Sequence, residues 1–321
     1  MPPDRPHPSA RADRQPPVPP VSVVIVNWNT KDMLVRCVEA AAGAAHDIVV
    51  VDNASADGSA SAVAARFPSV ALVCLPENRG FAAGANAGLR RARTDFVLLL
   101  NPDCLATAGA IERLARVLAG APDCAAVGGR LVDETGRPQH GFNVRRFPTL
   151  ATWAVDLLLL DKVWPENPVT RRYEARDLDL DGPQPIDVDQ PAAACLLVRR
   201  DVVLGLGGFD EDFAPAWFED VDLCRRLKAA GWRILLAPDA RFVHRGGEAM
   251  RALGLTRFSE IWYRNLRRYA RKHHGRTAAL AVAGLIALGM LLRIAVSVVR
   301  LDGQGLRAYA RVLWSTLDPS R

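Results

Sequence analysis

Short apolar runs alternate with helical patterns over the first hundred residues, and this alternation constrains the fold more than any other feature of the sequence. Four runs rich in valine, isoleucine and leucine lie at 21–26, 48–51, 70–74 and 96–100. The segments between them carry apolar residues at helical spacing, as over 34–41. Strands that alternate with helices in this way build a parallel sheet. We therefore predict an α/β fold, with a mostly parallel sheet flanked by helices.

Polar residues stand where the predicted strands end. Asn27 follows the first strand, Asp52 and Asn53 follow the second, and Asn101 and Asp103 follow the fourth. Sheets of this kind bind ligands outside the carboxyl ends of their strands. The sequence thus predicts one crevice there, in which Asp52 meets a base or ribose and Asp103 meets a divalent cation. Oxygen ligands suit Mg²⁺ or Mn²⁺.

The segment 77–88 is rich in glycine and reads as a turn that leads into a helix of small residues. Glycines let a backbone approach a ligand closely, and a guanidinium such as that of Arg79 suits a phosphate. Arg79 and the glycines of this segment are therefore candidates for contact with a phosphate. A helix that needs small residues only because it packs tightly explains the same segment equally well.

An acidic and aromatic stretch begins another predicted helix. Trp217 and Phe218 stand directly before Glu219, Asp220 and Asp222, which fall where a helix dipole favours negative charge. An ordinary acidic helix start is one explanation. The two rings favour another, a partly buried pocket that tunes a general base. We predict that Asp220 is this base and that Trp217, Glu219 and Asp222 contact an acceptor, although Glu219 and Asp222 alternatively cap the helix.

His244 follows a predicted strand and precedes two glycines. A lone histidine is more often structural than functional. This one can reach the same ion or phosphate as Asp103 from the far side of the fold, so the two residues are our candidate metal ligands.

Positive charge is concentrated towards the end of the chain. The sequence has a net charge of +6, and six cations crowd between residues 264 and 276. Apolar residues fill 278–292, Arg293 interrupts them, and 294–299 is again apolar apart from Ser297. Cations beside an apolar run favour an anionic membrane surface over nucleic acid as partner. Because the run falls short of the roughly 20 residues of a span, an in-plane anchor is favoured over a span. A buried core hairpin is the remaining alternative.

Composition predicts three parts and a cytoplasmic location. The cysteines at 37, 74, 104, 124, 195 and 224 lack C-x-x-C spacing and indicate reduced thiols. Residues 1–19 are rich in proline and arginine without an apolar core, which predicts a disordered leader and not a signal peptide. We predict a catalytic domain over 20–250 and a membrane-associating helical tail over 251–321, which keeps the protein at the inner face of the plasma membrane. The irregular segment 140–187 receives no firm assignment.

Five motifs in this order resemble glycosyltransferase family 2. They are Val-Ile-Val-Asn-Trp-Asn, Val-Val-Asp-Asn-Ala-Ser, Glu-Asn-Arg-Gly-Phe-Ala-Ala-Gly-Ala-Asn, Leu-Leu-Asn-Pro-Asp, and Gly-Gly-Phe-Asp-Glu followed by Glu-Asp-Val-Asp-Leu-Cys. Each motif alone is weak, but five at compatible spacing are specific. Within the family, the chain is most similar to bacterial rhamnosyltransferases of cell-wall and O-antigen assembly, over roughly residues 20–250.

The resemblance implies a GT-A fold and a role for several residues. By similarity, Asp52 binds the region of the nucleotide base, and Asp220 is the catalytic base. Asn101-Pro102-Asp103 stands for the family's DxD metal motif, and His244 for a metal or phosphate contact near the C-terminus. The expected donor-binding set is Asn27, Asp52, Asn53, Asn78, Arg79, Gly80, Asn86 and Asn101.

The sequence departs from the family pattern at two points. Asn101 replaces the first acid of the metal motif, so only Asp103 supplies a carboxylate there. Ala193 and Ala194 stand where relatives often have Gly-Ala before the strand at 195. The first change bears on the strength of metal binding, and the second on the acceptor site.

The expected reaction is inverting transfer of a sugar to a hydroxyl of a saccharide or polyprenyl-linked acceptor. Rhamnose from dTDP-rhamnose is the first choice of donor, ahead of UDP-linked hexoses and galactofuranose. Two other classes stay open, a non-catalytic sugar-nucleotide-binding or membrane scaffold protein and a dinucleotide-dependent oxidoreductase. The oxidoreductase would need G-x-G-x-x-G after the first strand, where this chain has Asn27-Trp28-Asn29-Thr30.

Overall fold

A mixed β-sheet runs through the centre of the protein in a computed structural model that describes residues 17–180, 182–247 and 253–317. Most of the predicted leader lies outside these residues. The strands are β1 Val21–Asn27, β2 Asp47–Asp52, β3 Ala71–Cys74, β4 Phe96–Leu100, β5 Cys104–Ala106, β6 Cys124–Val132, β7 Val144–Arg145, β8 Ile186–Asp187, β9 Gln190–Pro191, β10 Cys195–Arg199 and β11 Arg233–His244. Within the described residues the order is β3-β2-β1-β4-β10-β6-β11-β5, with β8 also on β11, while β7 and β9 form a separate ribbon.

Helices cover both faces of this sheet. They are α1 Lys31–Ala42, α2 Ser59–Arg66, α3 Gly80–Arg91, α4 Ala110–Ala119, α5 Leu150–Leu157, α6 Leu160–Val163, α7 Pro168–Tyr173, α8 Arg200–Gly205, α9 Glu219–Ala229, α10 Gly254–Val299 and α11 Gly303–Leu317. Helices α1 and α4 bury apolar side chains on one face, and α3, α8 and α9 bury theirs on the other. The α/β prediction is confirmed, and the segment left unassigned contributes β7, β8 and α5 to α7.

Parallel pairing aligns the carboxyl ends of the first strands. Strand β1 pairs in parallel with both β2 and β4, and Asn27 lies opposite Asp52 in this register. Strand β10 runs antiparallel to β4 and β6, so its beginning at Cys195 lies opposite Leu100, the last residue of β4. One edge of the sheet therefore gathers the ends of β1, β2 and β4 and the start of β10.

The small residues of α3 serve close packing against β1. A Cβ atom on Gly84 would lie 2.5 Å from Cγ1 of Val26, and one on Gly88 would lie 2.2 Å from Cγ1 of Val24. Real Cβ atoms do not approach other atoms this closely, so the helix lies nearer to the sheet than larger residues allow. The packing explanation of the segment holds for these two glycines.

The first half of α10 packs on the loop at 213–216, which belongs to the domain predicted over 20–250. Asn265 is fully buried, and its amide donates to the carbonyl oxygens of Phe213 at 2.7 Å and Ala216 at 2.8 Å. Arg264 and Arg268 donate to carbonyl oxygens of the same loop. Part of the cation cluster that suggested a membrane surface is thus used inside the protein.

The second half of α10 leaves this packing after a break in the helix. Gly275, at φ 85° and ψ 179°, is not helical and separates the basic half from the apolar half. Among the described residues, α10 is long and apolar enough to cross a membrane, and 28% of its most apolar 18-residue window is buried. Arg293 donates to the carbonyl oxygens of Leu157 at 2.6 Å and Asp156 at 3.1 Å, which ties the apolar half to α5.

Candidate active site

Asp52 is held rigidly at the end of β2. Asn27 donates from Nδ2 to Asp52 Oδ1 at 3.0 Å and to Ser55 Oγ at 3.0 Å, and the Ser55 N–H donates to Asp52 Oδ2 at 2.9 Å. Thr30 donates to Asn27 Oδ1 at 2.6 Å, so the amide of Asn27 is fixed in turn. The result is a carboxylate of fixed direction at the edge of the sheet.

Asn53 joins the end of β2 to the turn before α3. Its Nδ2 donates to Gly80 O at 2.9 Å, its Oδ1 accepts from Arg79 N–H at 3.0 Å, and Asn78 Oδ1 accepts from Gly80 N–H at 2.9 Å. Gly80 has φ 86°, and a Cβ there would lie 2.6 Å from Pro215 O, so no other residue fits. The turn is therefore pressed against the loop that leads to Asp220.

Arg79 is half exposed and reaches across this junction. Its guanidinium contacts Glu211 Oε2 at 2.9 Å, with 53% of the side chain exposed. An exposed ion pair is weak and exchanges readily with another anion. Arg79 thus stands at the crevice as a guanidinium that a phosphate group can recruit.

Asn86, predicted as a donor contact, is buried and bonded to the turn at 207–211, including the Glu211 that Arg79 also contacts. Its Nδ2 donates to Phe209 O at 2.9 Å and Glu211 Oε1 at 3.0 Å, while its Oδ1 accepts from Phe209 N–H at 2.8 Å. These bonds use the amide fully. Asn86 holds the turn at 207–211 against α3, and Gly208 leaves room for it, since a Cβ there would lie 2.4 Å from Asn86 Oδ1.

Asp103 and His244 meet at the far end of the same edge. Their Oδ1 and Nε2 atoms are 3.6 Å apart, and Gly246 N–H donates to Asp103 Oδ2 at 3.1 Å. Gln139 donates to His244 O at 2.7 Å, which leaves its Oε1 to accept from His244 Nδ1–H at 2.8 Å. Phe142 stacks on the imidazole, with ring centroids 5.0 Å apart.

This arrangement fits a cation between Asp103 and His244. Burial lowers the pKa of His244, although the Asp103 carboxylate opposes the shift. A neutral ring that donates from Nδ1 presents the lone pair of Nε2 to the carboxylate oxygen, so two acceptors face each other. Histidines that ligate metals are fixed by such a partner on the other nitrogen. Among the described residues, no group of three or more His, Cys, Asp or Glu is suited to a metal, so Asp103 and His244 form a pair of candidate ligands.

Asp220 lies half buried at the start of α9, beside the first residues of β10. Val221 N–H donates to its Oδ1 at 2.8 Å, and Gln190 Nε2 and Ala193 N–H approach its Oδ2 at 3.3 and 3.4 Å. Burial raises the pKa of Asp220, while these backbone donors and the charge of Arg145 oppose the rise. A carboxylate with a raised pKa is a stronger base.

Two short links join Asp220 to the predicted metal motif. Asn101 N–H donates to Ala194 O at 3.0 Å, and the N–H of Ala193 faces Asp220. The two alanines that depart from the family pattern thus form the bridge between the end of β4 and α9. Asp52, Asp103 and Asp220, which are far apart in the sequence, all attach to the same edge of the sheet.

The two neighbours of Asp220 in the acidic cluster differ in their surroundings. Glu219 is buried, its Oε2 atom has no hydrogen-bond partner among the described residues, and burial with the charge of Asp220 raises its pKa well above the usual range. Asp222 is fully buried and contacts Arg226 at 2.8 Å, Lys272 at 2.7 Å and His273 at 2.7 Å. Glu219 therefore keeps a buried oxygen without a partner among the described residues, whereas both oxygens of Asp222 are used.

In the structure Asp222 contacts three basic side chains of the protein, while its predicted acceptor role stays a prediction. Burial alone would raise its pKa, but the hydrogen bonds from His273 and Lys272 and the charge of Arg226 together lower it. Its carboxylate joins α9 to α10.

Trp217 contributes to an aromatic wall that includes the tail helix. Trp217 and Phe218 both have left-handed backbones, at φ 73° and 75°. Such conformations are costly for large residues and concentrate at functional sites. The Trp217 ring meets Phe258 edge-on at 4.7 Å and Trp262 at 5.8 Å. The rings predicted to line the pocket thus pack on α10.

Comparison with known proteins identifies the family. Residues 19–269 match the family described as "Glycosyltransferase like family 2". The chain belongs to this family. The match extends past residue 250 into the basic half of α10, the part that packs on Phe213 and Ala216.

Two relatives from Mycobacterium tuberculosis and one solved structure are similar to this member of the family. N-acetylglucosaminyl-diphospho-decaprenol L-rhamnosyltransferase is 30% identical over 208 residues, which are 61% of this chain and 66% of the relative, a little under two thirds. Pre-mycofactocin glycosyltransferase is 32% identical over 236 residues, which are 70% of this chain and 42% of the relative. A crystal structure of GalNAc-T7 with UDP, GalNAc and Mn²⁺ has a TM-score of 0.54 at 15% identity and covers 76% of this chain and 47% of that one. This likeness supports the fold, and the GT-A expectation is confirmed.

Replacement of Asp222 distinguishes an ion-pair role from an acceptor contact. Asp222→Asn leaves Arg226, Lys272 and His273 without their shared anion. We therefore expect the free energy of unfolding, measured in urea at pH 7, to fall by about 2–4 kcal/mol. The control is Asp212→Asn, because the side chain of Asp212 is 78% exposed. This variant is expected to change the free energy of unfolding by less than about 0.5 kcal/mol. Equal stability of the two variants would contradict the ion-pair role.

Proposed function

We propose that this protein is an inverting glycosyltransferase that transfers a sugar from a nucleotide diphosphate donor to a hydroxyl of a cell-envelope saccharide or lipid-linked acceptor. The observation that carries the proposal is the attachment of Asp220 to the same edge as Asp103 and Asp52, through the bonds of Ala193 and Ala194. Rhamnose from dTDP-rhamnose is the proposed donor. The name of the mycobacterial rhamnosyltransferase supports both the sugar and a lipid diphosphate acceptor.

Asp220 acts as the general base in this proposal. The acceptor oxygen forms a bond to the anomeric carbon, the bond from that carbon to the diphosphate oxygen breaks, and Asp220 takes the hydroxyl proton. The nucleoside diphosphate leaves with the electron pair, so a single displacement inverts the carbon and needs one carboxylate. General-base help of this kind contributes about 10²–10⁴-fold to a rate. Glu219 and Trp217 are the proposed acceptor contacts, since both stand close to Asp220 in the sequence at the start of α9.

The donor lies along the ends of β1, β2 and β4. Asp52, fixed by Asn27 and Ser55, accepts hydrogen bonds from the base or ribose. Asn53, Asn78 and Gly80 shape the turn that brings Arg79 to the diphosphate. Asn101 occupies the bend between Asp103 and Ala194.

Asp103 and His244 fit a divalent cation and would hold Mg²⁺ or Mn²⁺ there. When bound, the ion neutralises charge that develops on the departing diphosphate. Arg79 contributes a second positive charge to the same group from the other side.

Replacement of Asp220 tests the proposed reaction. A panel of nucleotide sugars with Mg²⁺ or Mn²⁺ identifies the donor by its effect on the melting temperature, and dTDP-rhamnose is expected to give the largest rise. With that donor and N-acetylglucosaminyl-diphospho-decaprenol, Asp220→Asn is expected to lower kcat by about 10²–10⁴-fold at unchanged melting temperature. The control is Asp201→Asn, whose carboxylate is 78% exposed on α8.

The rival classes predict other results. A sugar-nucleotide-binding scaffold would bind the donor without turnover in the wild type. An oxidoreductase would respond to a dinucleotide in the same melting assay and not to nucleotide sugars.

We further propose that the α10–α11 hairpin docks on an anionic membrane surface. Its exposed apolar side chains include Leu280, Leu291, Val298 and Trp314, which are 53–74% exposed. The α6 region adds Val163 and Trp164, because the bonds of Arg293 hold the end of α5 against the same hairpin. Arg300, Arg307 and Arg311 are exposed beside these side chains and suit anionic headgroups.

Flotation with vesicles tests the docking surface. With vesicles of phosphatidylethanolamine and phosphatidylglycerol, the double variant Leu288→Glu, Leu291→Glu is expected to bind at least about tenfold less than the wild type, because buried charge opposes insertion of an apolar face. The control carries the same charge change at Ala64→Glu, Ala65→Glu, which are exposed on α2 beside the edge strand β3. Equal flotation of all three proteins would contradict the proposal.

A further inference from the structure

A two-stranded ribbon carries Gln190 to the side chain of Asp220. Strands β7 and β9 pair in antiparallel register, with Arg145 opposite Gln190. Asn143 fixes the ribbon to β6, because its Nδ2 donates to Gly129 O at 2.9 Å and its Oδ1 accepts from Leu131 N–H at 3.0 Å. The position of Gln190 is therefore set by strand pairing and by the hydrogen bonds of Asn143, which do not involve Asp220.

The contact with Asp220 orients the amide of Gln190, and in this orientation the amide oxygen makes no hydrogen bond among the described residues. Its side chain is buried, with Nε2 3.3 Å from Asp220 Oδ2. A carboxylate only accepts hydrogen bonds, so the nitrogen must face it. This orientation leaves Gln190 Oε1 buried without a partner among the described residues. A glutamine with a purely structural role would satisfy both ends of its amide.

From these contacts we infer that Gln190 is a positioning residue that holds the carboxylate of Asp220 in its ionised, base-competent form. The inference rests on the proposed function, in which Asp220 takes the acceptor proton. Gln190 Nε2 and Ala193 N–H both donate to Oδ2, and Val221 N–H donates to Oδ1. These hydrogen bonds fix the plane of the carboxylate before an acceptor binds. Within the described part of the chain, Gln190 is the one side chain that donates to Asp220.

By its hydrogen bond to Oδ2, Gln190 is expected to oppose the effect of burial on the pKa of Asp220. Burial raises the pKa of Asp220, and each donor to the ionised form brings it back down. The charged and titratable groups that face Asp220 from β7, α7 and α9 are Arg145, Tyr173, Glu219 and Cys224. These groups are unchanged in a Gln190 variant, so a shift in its pH profile reports the lost amide.

A pH profile of the Gln190→Met variant tests the inference. Methionine keeps the length and apolar volume of the side chain and removes the donor. Since the ionised base is the active form, kcat rises with pH through the pKa of Asp220. We expect this rising limb to move up by about half to one pH unit. At acidic pH kcat falls severalfold, at alkaline pH it returns to the wild-type value, and the KM for dTDP-rhamnose is unchanged.

A second variant protects the test against misfolding. Gln190→Glu keeps the shape of the side chain and places a like charge beside Asp220, so the limb is expected to move further up in pH than in Gln190→Met. A limb that stays in place in both variants, or a kcat lowered equally at every pH, would overturn the inference in favour of a packing role. An Asp220→Asn variant with wild-type turnover would overturn the proposed function as well, whereas an inactive Asp220→Asn with an unmoved limb would overturn this inference alone.

Discussion

The parallel pairing of β1 with both β2 and β4 is the constraint on which the site depends. Because all three strands run the same way, Asn27, Asp52 and Asn101 emerge at one edge although they are separated by many residues. The antiparallel return of β10 then brings Ala193 and Ala194 to the same edge, where their backbone groups contact Asp220 and Asn101. The site is thus assembled by sheet topology, and its side chains are fixed afterwards by local amide contacts such as that of Asn27 with Asp52.

The tail helix is part of this assembly. Asn265 satisfies the carbonyl groups of the loop that precedes Asp220, and the carboxylate of Asp222 joins α9 to Lys272 and His273. The same helix continues past Gly275 into the apolar half that we propose docks on a membrane. The basic half of the helix therefore contacts the loop beside the proposed base, and the apolar half after the break at Gly275 carries the proposed docking surface.

The sequence was sufficient to predict that the residues at the strand ends share one edge of the sheet. It was not sufficient to predict every side-chain contact at that edge. Strand-end residues such as Asp52 and Asp103 are readable because their position follows from the apolar runs before them. The protein contacts of Asn86 and Asp222 could not be predicted, because a polar residue on a helix looks the same in sequence whether it faces a ligand or the protein. The partners of Asp222 lie about fifty residues further along, at 272 and 273. Gln139 and Gln190 gave no signal, because a single amide has no spacing that marks it; only the fold brings them to His244 and Asp220.

We propose that one edge of the sheet binds a nucleotide diphosphate beside Asp220, and a crystal structure of the protein with dTDP and Mn²⁺ tests this binding mode. We expect Mn²⁺ at about 2.2 Å from both Asp103 and His244, with the diphosphate on the ion and the thymine or ribose bonded to Asp52. A nucleotide bound elsewhere, or an ion that leaves Asp103 and His244 in contact only with each other, would contradict it.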